Sequence, residues 1–272
     1  MMDAPHAKYR KLESLLRQYG ELAVAFSGGV DSSFLLQAAH AVLGDRAVAV
    51  TAAPPFVPQR ELREAWDFCQ ARGIRQIVIP AENLNLDVAR HNPPDRCYHC
   101  KREIFTNILS AAAKQGIGTV AEGSNTDDTG DYRPGMRAIR ELGVKSPLLE
   151  AGLSKAEIRA LSREMALPTW SKPSFACLAS RFVYGEAITD EKLSMVDRAE
   201  QLLMDLGFRQ FRVRIHGTLA RIEVLPDDLP RITEPGIRER ICRSLSDCGF
   251  SYITLDLVGY RTGSMNEVLS DA

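Results

Sequence analysis

A chain of 272 residues has room for one large domain, or for a large domain with a small companion. Its 45% apolar and 25% charged residues are ordinary for a soluble globular protein. With 34 Lys and Arg against 35 Asp and Glu, the net charge of −1 argues against a nucleic-acid partner held by bulk electrostatics, though not against a local basic patch. The first residues, "MMDAPHAKYRKLESLLRQYG", lack the apolar core of a signal peptide, and their periodicity predicts a helix over 6–19. "ELAVAFS" (21–27) predicts a strand buried on both faces, and "GVDSSFLLQAAHAVLG" a helix ended by Gly44. Strands at 46–52 and 74–80 flank a helix at 57–72. A helix at 97–115 then precedes a fourth strand at 117–125. A loop rich in Asp and Gly leads to a helix at 154–166, opened by Ser154 with Glu157 in capping-box position.

Strands and helices alternating at this spacing predict a doubly wound parallel α/β sheet. The pattern changes after about residue 185. "DEKLSMVDRAEQLLMDLG" is an amphipathic helix with Leu193, Val196, Ala199, Leu202, Leu203 and Leu206 on one side. "QFRVRIHG" and "LARIEVLP" alternate as a β-hairpin would, and a helix near 235–248 and a strand in 251–260 follow. This is a small α+β domain. The expected division is 1–175 and 176–272, with the boundary inside 170–186. No apolar run reaches membrane-spanning length, so no membrane partner and a reducing cytoplasm are expected. The six cysteines are therefore read as buried, metal-binding or reactive before they are read as disulfides.

"AFSGGVDSS" follows the first strand and opens a helix. Gly28 and Gly29 let the backbone approach an anion, the helix start supplies free N–H groups, and the hydroxyls of Ser27, Ser32 and Ser33 add donors. The loop is not of the G-x-x-x-x-G-K-[ST] kind, and the bland alternative is a glycine turn. "SGGVDS" is similar to the pyrophosphate loop of the PP-loop ATP pyrophosphatases, an adenine nucleotide alpha hydrolase-like fold shared by GMP synthetase, NAD synthetase and tRNA thiolation enzymes. The resemblance implies cleavage of ATP between the α- and β-phosphates, with Ser27 to Ser33 holding pyrophosphate and Asp31 near Mg2+. It also implies a second nucleotide loop in "EGSNTDD", with Gly123 and Asn125, and a phosphate role for Lys155. Thr51, ending the second strand, would receive adenine; its alternative is a plain strand-end threonine.

"KPSFACLASR" (172–181) sets Cys177 between Lys172 and Arg181. Cations nearby would favour a reactive thiolate, and an acyl adenylate is what a thiolate can attack. "WSKPSFACLASRFVYGEAIT" resembles the LarE sulfurtransferases of nickel-pincer cofactor (lactate racemase) maturation. The likeness extends through "RCYHCK", "DYRPGMRA" and the "RVRIHG" hairpin. It implies that a carboxylate of a pyridinium biscarboxylate mononucleotide is adenylated. Cys177 then forms a thioester and gives up its sulfur, leaving dehydroalanine. Arg212 and Arg214, two apart on a strand, share a face and could clamp the substrate phosphate with Arg181, or could form ordinary surface salt bridges. Glu200 and Glu223 are weaker candidates for positioning or for a divalent metal, their alternative being exposed charges.

"CYHC" gives Cys97 and Cys100 metal-ligand spacing, with His91 and His99 near in sequence, but a structural zinc site needs four ligands. With Cys177 the pair could hold a [4Fe–4S] cluster and make sulfur delivery catalytic; a structural role is the alternative. Cys69, Cys242 and Cys248 are expected in the core. The partners expected are ATP, Mg2+, a small nucleotide substrate and further copies of the chain. The rival functions are a cluster-dependent sulfurtransferase, a tRNA thiolase, an ammonia-dependent ligase and a nucleotide-binding module without chemistry.

Overall fold

The computed structural model describes residues 4–129, 134–173 and 176–261. The chain forms two compact units, Met1–Leu86 with Asp95–Ser174, and Asp87–Pro94 with Phe175–Ala272. In the first unit α1 (Ala4–Tyr19) leads to β1 (Leu22–Ala25), α2 (Val30–Leu43), β2 (Ala47–Ala52), α3 (Gln59–Ala71) and β3 (Gln76–Ile79). A four-residue helix, α4 (Asp87–Arg90), belongs to the second unit. The first then resumes with α5 (Arg96–Ala113), β4 (Val120–Ala121), α6 (Pro134–Glu141), α7 (Pro147–Ala151) and α8 (Lys155–Glu164).

The four strands form a parallel sheet in the order β3-β2-β1-β4, flanked by helices as the alternation predicts. Leu22, Ala23, Val24 and the run Ala47–Val50 are sealed from solvent, which is why these strands read as unbroken apolar runs. Phe34, Leu35, Leu36, Ala38 and Ala39 are also fully buried, so α2 is covered nearly all round. β1 to β3 build outward on one side, while β4 returns to the other side of β1. The loops after β1 and β4 therefore meet at the point where strand order reverses, a position that favours ligand sites.

Two details differ from expectation. The fourth strand is only two residues long: beyond Ala121 the Glu122 N–H bonds to Lys145 O at 2.9 Å, and the chain turns toward α2. The loop before α8 contains two short helices, α6 and α7, the latter started by Pro147.

In the second unit α9 (Asp190–Asp205) precedes the hairpin of β5 (Phe211–His216) and β6 (Leu219–Val224). α10 (Leu229–Ile232), α11 (Pro235–Cys248) and β7 (Tyr252–Leu255) follow. β5 and β6 are antiparallel and β7 joins β6 in parallel, giving the expected α-β-β-α-β order. The hairpin is less solvated than its alternation suggests. Arg212 and Arg214 share a face, yet both are buried. Asn92 ties Asp87–Pro94 into this unit. Its φ of 54° is a left-handed conformation that asparagine tolerates, and its amide donates to Val183 O at 2.6 Å. Its carbonyl accepts from the Gly185 N–H at 2.9 Å. Among the described residues no helix is long and apolar enough to cross a membrane.

Candidate active site

The glycine loop expected to hold phosphate lies between the end of β1 and the start of α2. Gly28 has φ +70°, and a Cβ there would come within 3.1 Å of Ala65 Cβ, so the turn and the packing both call for glycine. Gly29 caps α2 without a side-chain hydrogen bond, which leaves the first N–H groups of the helix to a ligand. The Ser27 and Ser32 hydroxyls are 3.0 Å apart, and Ser27 is exposed. Ser33, expected among the loop donors, lies beneath the loop. It is fully buried, and its hydroxyl has no partner among the described residues.

The second loop closes against the first. A Cβ on Gly123 would stand 3.0 Å from Ser32 N and 3.2 Å from the Asp31 carbonyl carbon, so only glycine permits this approach. The buried Glu122 carboxylate sets the turn, accepting from Ser124 N at 3.0 Å, Ser124 Oγ at 2.8 Å and Ser146 Oγ at 2.6 Å. Asn125 Nδ2 donates to Asp31 Oδ1 at 3.4 Å. The Lys155 ammonium forms an ion pair with the other Asp31 oxygen. α8 delivers that lysine through the expected capping box of Ser154 and Glu157, reinforced by the Lys155 N–H donating to Asp127 Oδ2 at 3.1 Å. Asp31, Asn125 and Lys155 thus converge as a group. The Asp31 carboxylate, a hard oxygen donor, suits a Mg2+ ion.

Thr51 closes β2, and its buried hydroxyl donates to Phe26 O at 2.9 Å and accepts from Gln76 Nε2 at 2.8 Å, which engages the side chain inside the sheet. Lys172 is engaged within the first unit. Its ammonium bonds to Glu61 at 2.7 Å, Glu64 at 2.6 Å and Gly28 O at 3.1 Å, making it a brace of the phosphate loop.

The cysteine expected to react, Cys177, lies in the second unit. Cys177 is exposed and caps a 3-10 turn, Leu178–Arg181, whose Leu178 and Ala179 are buried. Ser174 and Phe175, next to it in the motif, lie outside the described residues, as do the first residues of "DYRPGMRA". Arg181 is 1% exposed. Its Nε and Nη2 donate to Glu200 at 2.8 and 2.7 Å, and its Nη1 to Ala176 O at 2.7 Å and Cys177 O at 3.0 Å. Burial opposes its charge, but the Glu200 carboxylate overcomes this and holds the guanidinium pKa above its ordinary value. In this structure the Arg181 side chain is engaged by its own loop and by Glu200.

Glu200 and Glu223 are buried, not exposed charges, and each is paired with an arginine. Glu200 binds Arg181 and the Val213 N–H, and Glu223 binds Arg214 at 3.0 and 2.9 Å. Arg214 Nη1 donates further to Ser180 O at 2.7 Å. Arg212 donates to Phe211 O at 2.6 Å and lies over the Tyr260 ring. Burial, followed by the charge of Arg181, pushes its pKa down. No local pattern in the chain signals these pairings, because the partners lie on different elements.

Cys97 is exposed and Cys100 partly buried, three apart in the first turn of α5 in the first unit; Cys177 belongs to the second. Among the described residues, no group of three or more His, Cys, Asp or Glu side chains is assembled for a metal. Cys69 is in the core, and burial pushes its thiol up to about 12. Cys248 is partly buried. Cys242, expected in the core, is exposed on α11.

The phosphate loop contributes no lysine; the cation at Asp31 comes from α8. With its four-stranded parallel sheet flanked by helices, the first unit has the PP-loop ATP pyrophosphatase fold. No protein-family model matches the chain. It is 42% identical over 263 residues to an uncharacterised protein of Synechocystis sp., covering 96% of this chain and 98% of that one. It is 37% identical over 267 residues to the pyridinium-3,5-bisthiocarboxylic acid mononucleotide synthase of Lactiplantibacillus plantarum, covering 97% and 96%. A subunit of the glutamine-hydrolysing GMP synthase of Thermoplasma acidophilum is 29% identical over 201 residues, covering 68% and 64%. Identity over essentially the whole length places the chain in the LarE family.

Proposed function

We propose that the protein transfers sulfur to a carboxylate in an ATP-dependent, AMP-forming reaction, with Cys177 as nucleophile and sulfur donor. The convergence of Asn125 and Lys155 on Asp31 beside the phosphate loop carries this reading, since it suits a departing pyrophosphate. Following the relative's name, the substrate is a pyridinium biscarboxylate mononucleotide. Ser27, Gly28, Gly29 and Ser32 hold the pyrophosphate through loop N–H and hydroxyl groups. Lys155 exchanges Asp31 for phosphate oxygens. Asp31 would hold the Mg2+ that accompanies ATP, which supplies neutralising charge to the leaving group.

The carboxylate attacks the α-phosphorus, and pyrophosphate leaves. The Cys177 thiolate displaces AMP to form a thioester, and cleavage of the Cβ–Sγ bond releases a thiocarboxylate and leaves dehydroalanine. Arg212, lying over the Tyr260 ring, and Arg214 on the same strand face are the proposed seat of the substrate phosphate. A soluble cytoplasmic homo-oligomer is part of the same reading.

The test is the intact mass of anaerobically purified protein after incubation with ATP, Mg2+ and the biscarboxylate mononucleotide. Loss of hydrogen sulfide mapped to residue 177, abolished by Cys177→Ser, is the expected result. An unchanged chain with a sulfurated product would favour delivery from a cluster involving Cys97, Cys100 and Cys177. A product indifferent to Cys177→Ser would favour an ammonia-type ligase.

A further inference from the structure

The carbonyl oxygen of Cys177 accepts three hydrogen bonds: from the Ser180 N–H at 3.0 Å, Ser180 Oγ at 2.9 Å and Arg181 Nη1 at 3.0 Å. A peptide carbonyl has two lone pairs, so this oxygen carries more donor density than a short turn requires. One donor is a cation locked in place by Glu200, at 1% exposure. The residue supplying the other two is fixed through its own carbonyl by Arg214, itself held by Glu223. One buried ion pair thus donates directly to the carbonyl of the exposed cysteine, and the other holds Ser180, the residue that supplies its remaining donors.

We propose that this nest is an oxyanion hole for the enolate of Cys177 itself, making Ser180 and Arg181 catalytic in carbon–sulfur cleavage. The inference rests on the sulfur-donor reading of Cys177 and deepens it. After acylation of the sulfur, a solvent base (hydroxide or a buffer anion) removes the Cα proton. The C–H electron pair moves toward the carbonyl carbon, and negative charge gathers on the oxygen where the three donors stand. That pair returns to form the Cα=Cβ bond as Cβ–Sγ breaks, and the sulfur departs with its bonding electrons as thiocarboxylate. A proton and an anion leave, and neither oxidant nor reductant is consumed. Donors aimed where charge develops act mainly in the transition state, whereas a turn staple would act equally before and after it.

The test uses the full chain without ATP or substrate. Exposed cysteines are converted to thiocyanates with 2-nitro-5-thiocyanobenzoate. Elimination to dehydroalanine at residue 177 is then followed by peptide mass mapping, with the exposed Cys242 as internal reference. Native protein is expected to eliminate at residue 177 about 100-fold faster than at 242, and Ser180→Ala to remove most of that advantage while residue 242 keeps its rate. Equal rates at the two positions, or an undiminished advantage in a folded Ser180→Ala variant, would overturn the proposal. In the substrate reaction the same variant should accumulate the thioester at the expense of dehydroalanine; an unshifted partition would overturn the proposal too. A native advantage in a protein that yields no dehydroalanine with ATP and substrate would instead remove the sulfur-donor reading alone.

Discussion

Lys155 reaches Asp31 from the first turn of α8, so its charge is in place before ATP arrives. Lys155→Met should lower kcat/KM for AMP formation by about 100-fold, the usual scale for losing one preorganised charge contact to a transferring phosphoryl group. Pyrophosphate release is the measurement. Gly123→Ala should impair the same step and also cost about 1–3 kcal/mol of stability, because the new Cβ presses on Ser32 N and the Asp31 backbone. Asn92→Ala should destabilise the fold by about 2 kcal/mol, losing buried amide hydrogen bonds and a residue suited to positive φ; thermal unfolding would show it. The tight turn between β1 and α2 is legible in the sequence because paired glycines between a buried strand and a helix allow a positive φ and a close backbone approach. The role of Asn92 is not, although the Asn-Pro pair at 92–93 marks a turn.

The start of α8 is readable from Ser154 and Glu157 alone, since a capping box is local chemistry. The structure adds the Lys8 ammonium from α1, 2.7 Å from Glu157. That contact, more than the Ser154 bonds, holds the Glu157 carboxyl below its ordinary pKa. A group with a depressed folded pKa stabilises fully above its unfolded value and loses that contribution as pH falls through the folded one. Glu157→Gln should therefore cost about 0.5 kcal/mol at pH 7 and flatten the decline in stability below pH 4.5, in denaturant titrations across pH. The hairpin is legible in outline but not in its burial. Alternating Arg212 and Arg214 reads as a wet face, and only the distant Glu223 and, for Arg181, Glu200 make burial tolerable. Glu200→Ala would leave Arg181 buried without its carboxylate, and a loss of about 3 kcal/mol is expected by calorimetry.

At the scale of the whole molecule, alternating strands and helices announce the parallel sheet, while the passage of the chain between units leaves no compositional trace. Asp87–Pro94 departs for the second unit and returns before α5. Arg90 and Asn92 then receive the backbone of residues 182–188, with the Ile188 N–H donating to Arg90 O at 2.8 Å. The two units are therefore not cassettes. A gene cut at residue 174 would separate the C-terminal piece from a segment encoded far upstream. On the ribosome that segment emerges long before the residues it will bind. Splicing between relatives at that one point would pair Asn92 from one parent with a Val183 and Gly185 from another, so a working chimera would need to exchange both stretches together.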